Sequence, residues 1–176
     1  MHPTKKGAHN SSLFQACSTP VASVYGSSNL SSSVKLATIA PELPDSAGLI
    51  QTLTSQGIRV SMGHSTATLD EGLAGLTAGA TCLTHTLNAM SPFGSRDPGL
   101  AGLITLPSTH SPRPPYYTVI ADGQHLHANT VSLLYRNNPK RAITITDSIE
   151  LASLPDGDHP GHCLLYTSLS GLARQT

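Results

Sequence analysis

Apolar and polar positions alternate in short blocks from residue 34 onward, each block having the length of a strand or a short helix. Residues 34–39 (VKLATI) form a compact, largely apolar run stopped by Pro41. Proline fixes φ and lacks a ladder donor, so the run is expected to be a buried strand that ends there. Residues 46–55 put Leu49, Ile50 and Leu53 at helical spacing, with Gly57 placed to close the helix in a left-handed turn. Residues 58–62 are the next expected strand, and residues 67–77 the next helix. That helix has Thr66 or Thr68 as its cap, Asp70 and Glu71 in its first turn and Gly79 beyond its end. A third short strand is expected at 81–84. After a loop rich in proline and glycine come a strand at 117–120, a helix near 128–135 and a last strand at 142–146 (AITIT). Residues 1–33 lack this regularity, and the stretch GSSNLSSS at 26–33 reads as a flexible connection.

Strands alternating with helices at this pace predict βα units and a parallel sheet. Right-handed crossovers then bring every strand's C-terminal end to the same side. An open doubly wound sheet accommodates five strands, whereas a (β/α)8 barrel needs three more; the pattern alone does not choose. The expected division is a loop-rich segment at 1–33, βα units at 34–150 and a C-terminal tail at 151–176.

Composition narrows the function. Lysine plus arginine balance aspartate plus glutamate at 10 each, which offers no electrostatic case for nucleic acid or an acidic membrane surface. Charged residues are 11% of the chain, well below the usual ~25%, which suits a piece of a larger protein and equally compositional drift. Cys17, Cys82 and Cys163 are odd in number and far apart, so reduced thiols are expected rather than a disulfide framework. No apolar run approaches the roughly 20 residues that span a bilayer, and the N-terminal residues lack the apolar core of a signal peptide. The expected setting is cytoplasmic, with no nucleic-acid or membrane partner.

The candidate chemistry lies where the strands end. His64 follows the second expected strand, His85 the third, Asp122 and His125 the fourth, and Asp147 the fifth. Parallel neighbours lie about 4.8 Å apart, so groups ending successive strands converge over one rim, where α/β sheets and barrels keep their sites. Two imidazoles from adjacent strand ends can share one metal ion, and a carboxylate from a later strand can act as a base beside it. Each residue also has a plainer reading. A histidine after a strand often serves structure, Asp147 would cap a following helix, Arg96 would be a solvated loop residue and Asn88 a turn former.

Residues 63–100, GHSTATLDEGLAGLTAGATCLTHTLNAMSPFGSRDPGL, resemble the central signature of the N-acetylglucosamine-6-phosphate deacetylases: a GHS strand end, an AGAT-x-x-TH strand, NAM and an R-[DE]-PG loop. KKGAH at 5–9, LATIAPEL at 36–43, IADGQHLH at 120–127 and ITDS at 145–148 resemble further family segments in the same order. The resemblance implies a partial (β/α)8 barrel of the metal-dependent amidohydrolase kind, with about strands four to eight present. It implies a divalent metal ion, zinc or iron, held by His64 and His85, and Asp147 as the base toward the attacking water. His9 would lie near the N-acetyl group. Asn88 and Ala89 would meet the sugar phosphate, and Arg96 and His125 would make further phosphate or sugar contacts. The implied reaction is hydrolysis of the N-acetyl group of N-acetylglucosamine 6-phosphate to glucosamine 6-phosphate and acetate. A homodimer is a family expectation. The alternative is a catalytically inactive fragment with residual sugar-phosphate binding; a dihydroorotase-like or adenine deaminase-like amidohydrolase fits the NAM and RDPG runs less well.

The chain departs from the family at several points. The family's third metal ligand is a glutamate in an E-G-P-[FY] run before the KKGAH loop; here the chain starts at Met1-His2-Pro3, and a fragment truncated at both ends is the expectation. Glu42 belongs to the next strand in the family pattern and is not assigned as a ligand. Gly94 and Ser95 stand where many members carry two histidines. The tail CLLYTSLSGLARQT does not resemble the expected continuation, and His159 and His162 receive no metal role.

Overall fold

The computed structural model describes residues 32–148 and the backbone of two later strands at 157–160 and 165–168. The βα rhythm is realised in the expected order: β1 (Leu36–Ile39), α1 (Ser46–Ser55), β2 (Arg59–Met62), α2 (Leu69–Thr77), β3 (Cys82–Leu83), β4 (Tyr116–Ile120), α3 (Ala128–Asn137) and β5 (Ala142–Ile145). A 3₁₀ segment, Leu100–Thr105, lies between β3 and β4, and another, Pro139–Arg141, leads into β5. In the tail, β6 (Gly157–Pro160) pairs antiparallel with β7 (Leu165–Ser168).

β1 to β5 form one parallel sheet in simple sequential order. A doubly wound sheet would reverse direction at a switch point, with helices on both faces. Neither occurs among the described residues. Val60, Met62, Leu83, Tyr117 and Val119 share one face and pack with Ile50 and Leu53 of α1, Leu76 of α2 and Leu134 of α3 in a single core. The alternate positions carry Thr38, Ser61, Thr84 and Thr118 on the opposite face. There the Thr84 hydroxyl lies 2.6 Å from that of Ser61 and 3.2 Å from that of Thr38. A sequential parallel sheet with its helices on one face is a portion of barrel wall.

Local chemistry explains the boundaries. Thr68, not Thr66, caps α2: its hydroxyl accepts from the Glu71 N–H while the Glu71 carboxylate accepts from the Thr68 N–H at 2.8 Å, a complete capping box. Thr66 is otherwise engaged, its N–H donating to Glu42. α1 has the expected span and closes on Gln56, followed by Gly57 at φ 78°. α3 runs on to Asn137, past the expected stop at 135, and the buried Tyr117 hydroxyl meets the Leu134 and Asn138 carbonyls at its C-terminal end, at 2.9 and 3.0 Å. The same carbonyls also accept from the backbone N–H groups of Asn138 and Arg141, so the hydroxyl adds a second donor at the helix end.

Candidate metal and sugar-phosphate site

His64 and His85 come together. Their Nε2 atoms lie 2.8 Å apart, with the rings nearly perpendicular at 82°. Three local features produce this. First, Gly63 lets β2 approach β3, because a Cβ there would stand 2.8 Å from the Thr84 Cβ. Second, the chain turns sharply after each strand, with His64 at φ 49° and His85 at φ 31°, a region that non-glycine residues seldom occupy. Third, the His85 N–H donates to the Thr118 hydroxyl of β4 at 2.6 Å.

The His85 ring is fixed further. Its Nδ1 lies 3.0 Å from the Asn88 carbonyl oxygen, which can only accept, so Nδ1 carries the proton and Nε2 presents a lone pair toward His64. Two nitrogens each about 2.0–2.1 Å from a shared ion lie about 2.9 Å apart at a right angle and about 3.3 Å at the tetrahedral angle. The pair therefore fits a divalent ion with little adjustment. Among the described residues no group of three or more His, Cys, Asp or Glu side chains could hold one.

Left-handed backbone is concentrated here. The described non-glycine residues with positive φ are Asp45, His64, His85, Leu87, Ala89 and Asp147, and four of these are candidate site residues. Such conformations cost roughly 1–3 kcal/mol each and persist where the surroundings enforce them. Ala89 is held at φ 48° by its carbonyl, which accepts from the Ser65 N–H, joining the loop after β3 to the one after β2. Asn88 donates through Nδ2 to the His125 carbonyl at 3.2 Å, joining it also to the loop after β4. Asn88 Oδ1 is buried without a donor among the described residues.

The other candidates divide. His125 is beside Asn88, its Nδ1 2.7 Å from Asp122 Oδ2. Asp147 is exposed beyond β5, at φ 50°. β5 lies two strands from β3 in the parallel sheet, so Asp147 stands on the same rim as the histidine pair. Arg96 is exposed in its loop, which is fastened by its neighbour: Asp97 Oδ1 accepts from the N–H groups of Leu69 and Gly99, both at 2.9 Å. His9 lies outside the described residues. Glu42 spends its carboxylate on the Ser65 hydroxyl at 2.6 Å and the Thr66 N–H at 2.8 Å, bracing the loop that bears His64. Thr118 and Asp97 had escaped the sequence reading. Thr118 meets His85 only through strand register, whereas the D-P-G run around Asp97 was a usable turn signal.

No family model matches the chain. Curated relatives do. The N-acetylglucosamine-6-phosphate deacetylase of Danio rerio is 39% identical over 156 residues, covering 88% of this chain and 39% of the relative. That of Mus musculus is 38% identical over 162 residues, covering 88% and 38%. The chain is a homologue of the N-acetylglucosamine-6-phosphate deacetylases. The fold agrees: a Mycobacterium smegmatis N-acetyl-D-glucosamine-6-phosphate deacetylase, an aspartate-to-alanine mutant in complex with N-acetyl-D-glucosamine-6-phosphate, matches with a TM-score of 0.71 at 32% identity. That match covers 80% of this chain and 36% of the solved one, so the five-stranded sheet corresponds to part of the deacetylase barrel. The chain thus spans about two fifths of the length of the curated deacetylases it matches. No helix of the described residues is long and apolar enough to cross a membrane.

Proposed function

We propose that this chain carries the histidine pair, the base and the sugar-phosphate contacts of a metal-dependent N-deacetylase acting on N-acetylglucosamine 6-phosphate, giving glucosamine 6-phosphate and acetate. The observation that carries the reading is the apposition of His64 and His85, 2.8 Å apart at adjacent strand ends, with the His85 tautomer set for ligation. His64 and His85 would hold a divalent ion, zinc or iron, which as a Lewis acid would polarise the amide and favour ionisation of water. Asp147 would take a proton from the attacking water and return it to the departing amine. His9 would hydrogen-bond the N-acetyl carbonyl as charge develops there. Asn88 and Ala89 would meet the phosphate, Arg96 would pair with it bidentately, and His125 would contact the sugar.

Competence of this chain by itself is a separate matter. Among the described residues no third His, Cys, Asp or Glu side chain joins the histidine pair, and Glu42 is committed to Ser65 and Thr66. Two histidines hold a divalent ion more weakly than a three-ligand set. The expected behaviour is therefore binding of metal and sugar phosphate with little acetate release. The test is calorimetric titration of the purified chain with zinc and then with glucosamine 6-phosphate, beside an acetate-release assay on N-acetylglucosamine 6-phosphate. Absence of saturable sugar-phosphate binding in the presence of zinc sinks the substrate assignment. Robust metal-dependent turnover, abolished by Asp147→Asn, would instead show the chain to be a complete catalyst.

A further inference from the structure

We propose that Asp122 is a positioning residue that fixes the ring of His125 as its Nδ1–H tautomer, leaving Nε2 to accept a hydrogen bond from a sugar hydroxyl; the hydroxyl role rests on the sugar-phosphate reading above. Three donors converge on the Asp122 carboxylate. Oδ1 accepts from the N–H groups of Gln124 and His125, both at 2.8 Å, and Oδ2 accepts from His125 Nδ1 at 2.7 Å. The intervening turn requires the left-handed backbone of Gly123, at φ 77°. Nothing lies within 4 Å of a Cβ built there, so the dihedral angle rather than space calls for glycine. The same bonds, the backbone one from His125 foremost, lower the Asp122 pKa to about 2, and the carboxylate is ionised at neutral pH.

An ionised carboxylate only accepts, so His125 Nδ1 must carry the proton, and in the neutral ring Nε2 then bears the lone pair. The backbone of His125 is held as well, its carbonyl accepting from Asn88 Nδ2. Nε2 has no protein partner among the described residues, and the side chain is 31% exposed. It is the ring atom left for a ligand. A neutral imidazole acceptor suits a hydroxyl donor rather than a phosphate oxygen, which itself accepts.

Asp122→Asn tests this. The amide oxygen can retain both backbone donors, but its NH2 then faces the ring, so Nδ1 becomes an acceptor and the proton moves to Nε2. Long-range 1H–15N NMR of the whole chain, above the pH at which the ring titrates, reads the tautomer directly. The expected result is Nδ1–H in the wild type and Nε2–H in the variant. Glucosamine 6-phosphate affinity should fall about tenfold, the worth of one hydrogen bond, while inorganic phosphate affinity is unchanged. A wild-type ring in the Nε2–H form overturns the proposal even if the variant does not fold. So does an unchanged tautomer in a folded variant, or a switched tautomer with unaltered sugar-phosphate affinity. A wild-type chain that binds no glucosamine 6-phosphate removes the substrate reading and the hydroxyl role with it, while the spectrum still decides whether Asp122 fixes the ring.

Discussion

At the scale of single residues, the candidate site rests on histidines whose free nitrogens are chosen by their neighbours. His85 is turned toward His64 because the Asn88 carbonyl occupies its Nδ1. Replacing either histidine with alanine should lower zinc affinity by more than the ~10–100-fold typical of losing an outer partner. Alanine at His127, which only caps α3 through the Asn129 N–H, should leave zinc affinity unaltered. Competition against a chromophoric chelator reads both; equal affinities across the three variants would mean that the pair is not the metal site. The Asp122 clamp carries its own pH signature. Its folded pKa is depressed from 3.8 to about 2, so its stabilisation is fully present above the higher value and is lost as pH falls through the lower one. A carboxyl-carbon NMR titration should find the Asp122 midpoint near 2, and an ordinary carboxylate midpoint would show that the three donors do not act on it. The histidine pair was legible in the sequence as two strand ends. The clamp was not, because D-x-x-H gives no sign that both amides fold back on the carboxylate.

At the scale of elements, small residues decide how closely the loops approach. Gly63, in the GHS run, sits where a methyl group would press on the Thr84 Cβ and lie 3.2 Å from the Thr84 carbonyl oxygen. Gly63→Ala should therefore destabilise the chain by ~1–3 kcal/mol, the usual cost of overpacking, and weaken zinc binding by moving β2 away from β3. Urea denaturation checks the first effect and metal titration the second; a variant as stable and as tight as wild type would show that the strands yield freely. α2 is braced twice, by its capping box and by Asp97 on the Leu69 N–H. Thr68→Ala should cost about 1 kcal/mol by the same denaturation measurement, and a loss of less than a few tenths would mean that Asp97 alone suffices to start the helix. Element type was readable from apolar spacing and stop signals, and α1 kept its expected span. Boundaries moved where long-range partners intervened. β3 is only Cys82–Leu83, and α3 gains its last residues where the Tyr117 hydroxyl meets its terminal carbonyls, a contact 17 and 21 residues away in the chain.

At the scale of the whole molecule, the sheet is covered on one face, and that asymmetry sets its solution behaviour. The helices pack on Val60, Met62, Leu83 and Tyr117. On the opposite face Leu36, Tyr116 and Ile143 are 59%, 46% and 43% exposed. Among the described residues β1 pairs only with β2 and β5 only with β4, so each outer strand presents unpaired backbone beside apolar side chains. In a closed barrel the same positions face the interior and the edges are paired. The strand count alone left open sheet and barrel undecided; strand order and the choice of covered face decided it, and both depend on pairing between residues distant in sequence. An unpaired edge with apolar flanks is a template for association. This chain, purified alone, should therefore self-associate in a concentration-dependent way when followed by sedimentation velocity. Charging the two edges through Leu36→Lys and Ile143→Lys should shift it toward monomer. Neither side chain belongs to the helix-packed core, so the urea midpoint should barely move. A wild-type chain that stays monomeric across the accessible concentration range would show that these edges are already covered. If association persists undiminished in the double variant, it proceeds through some other surface.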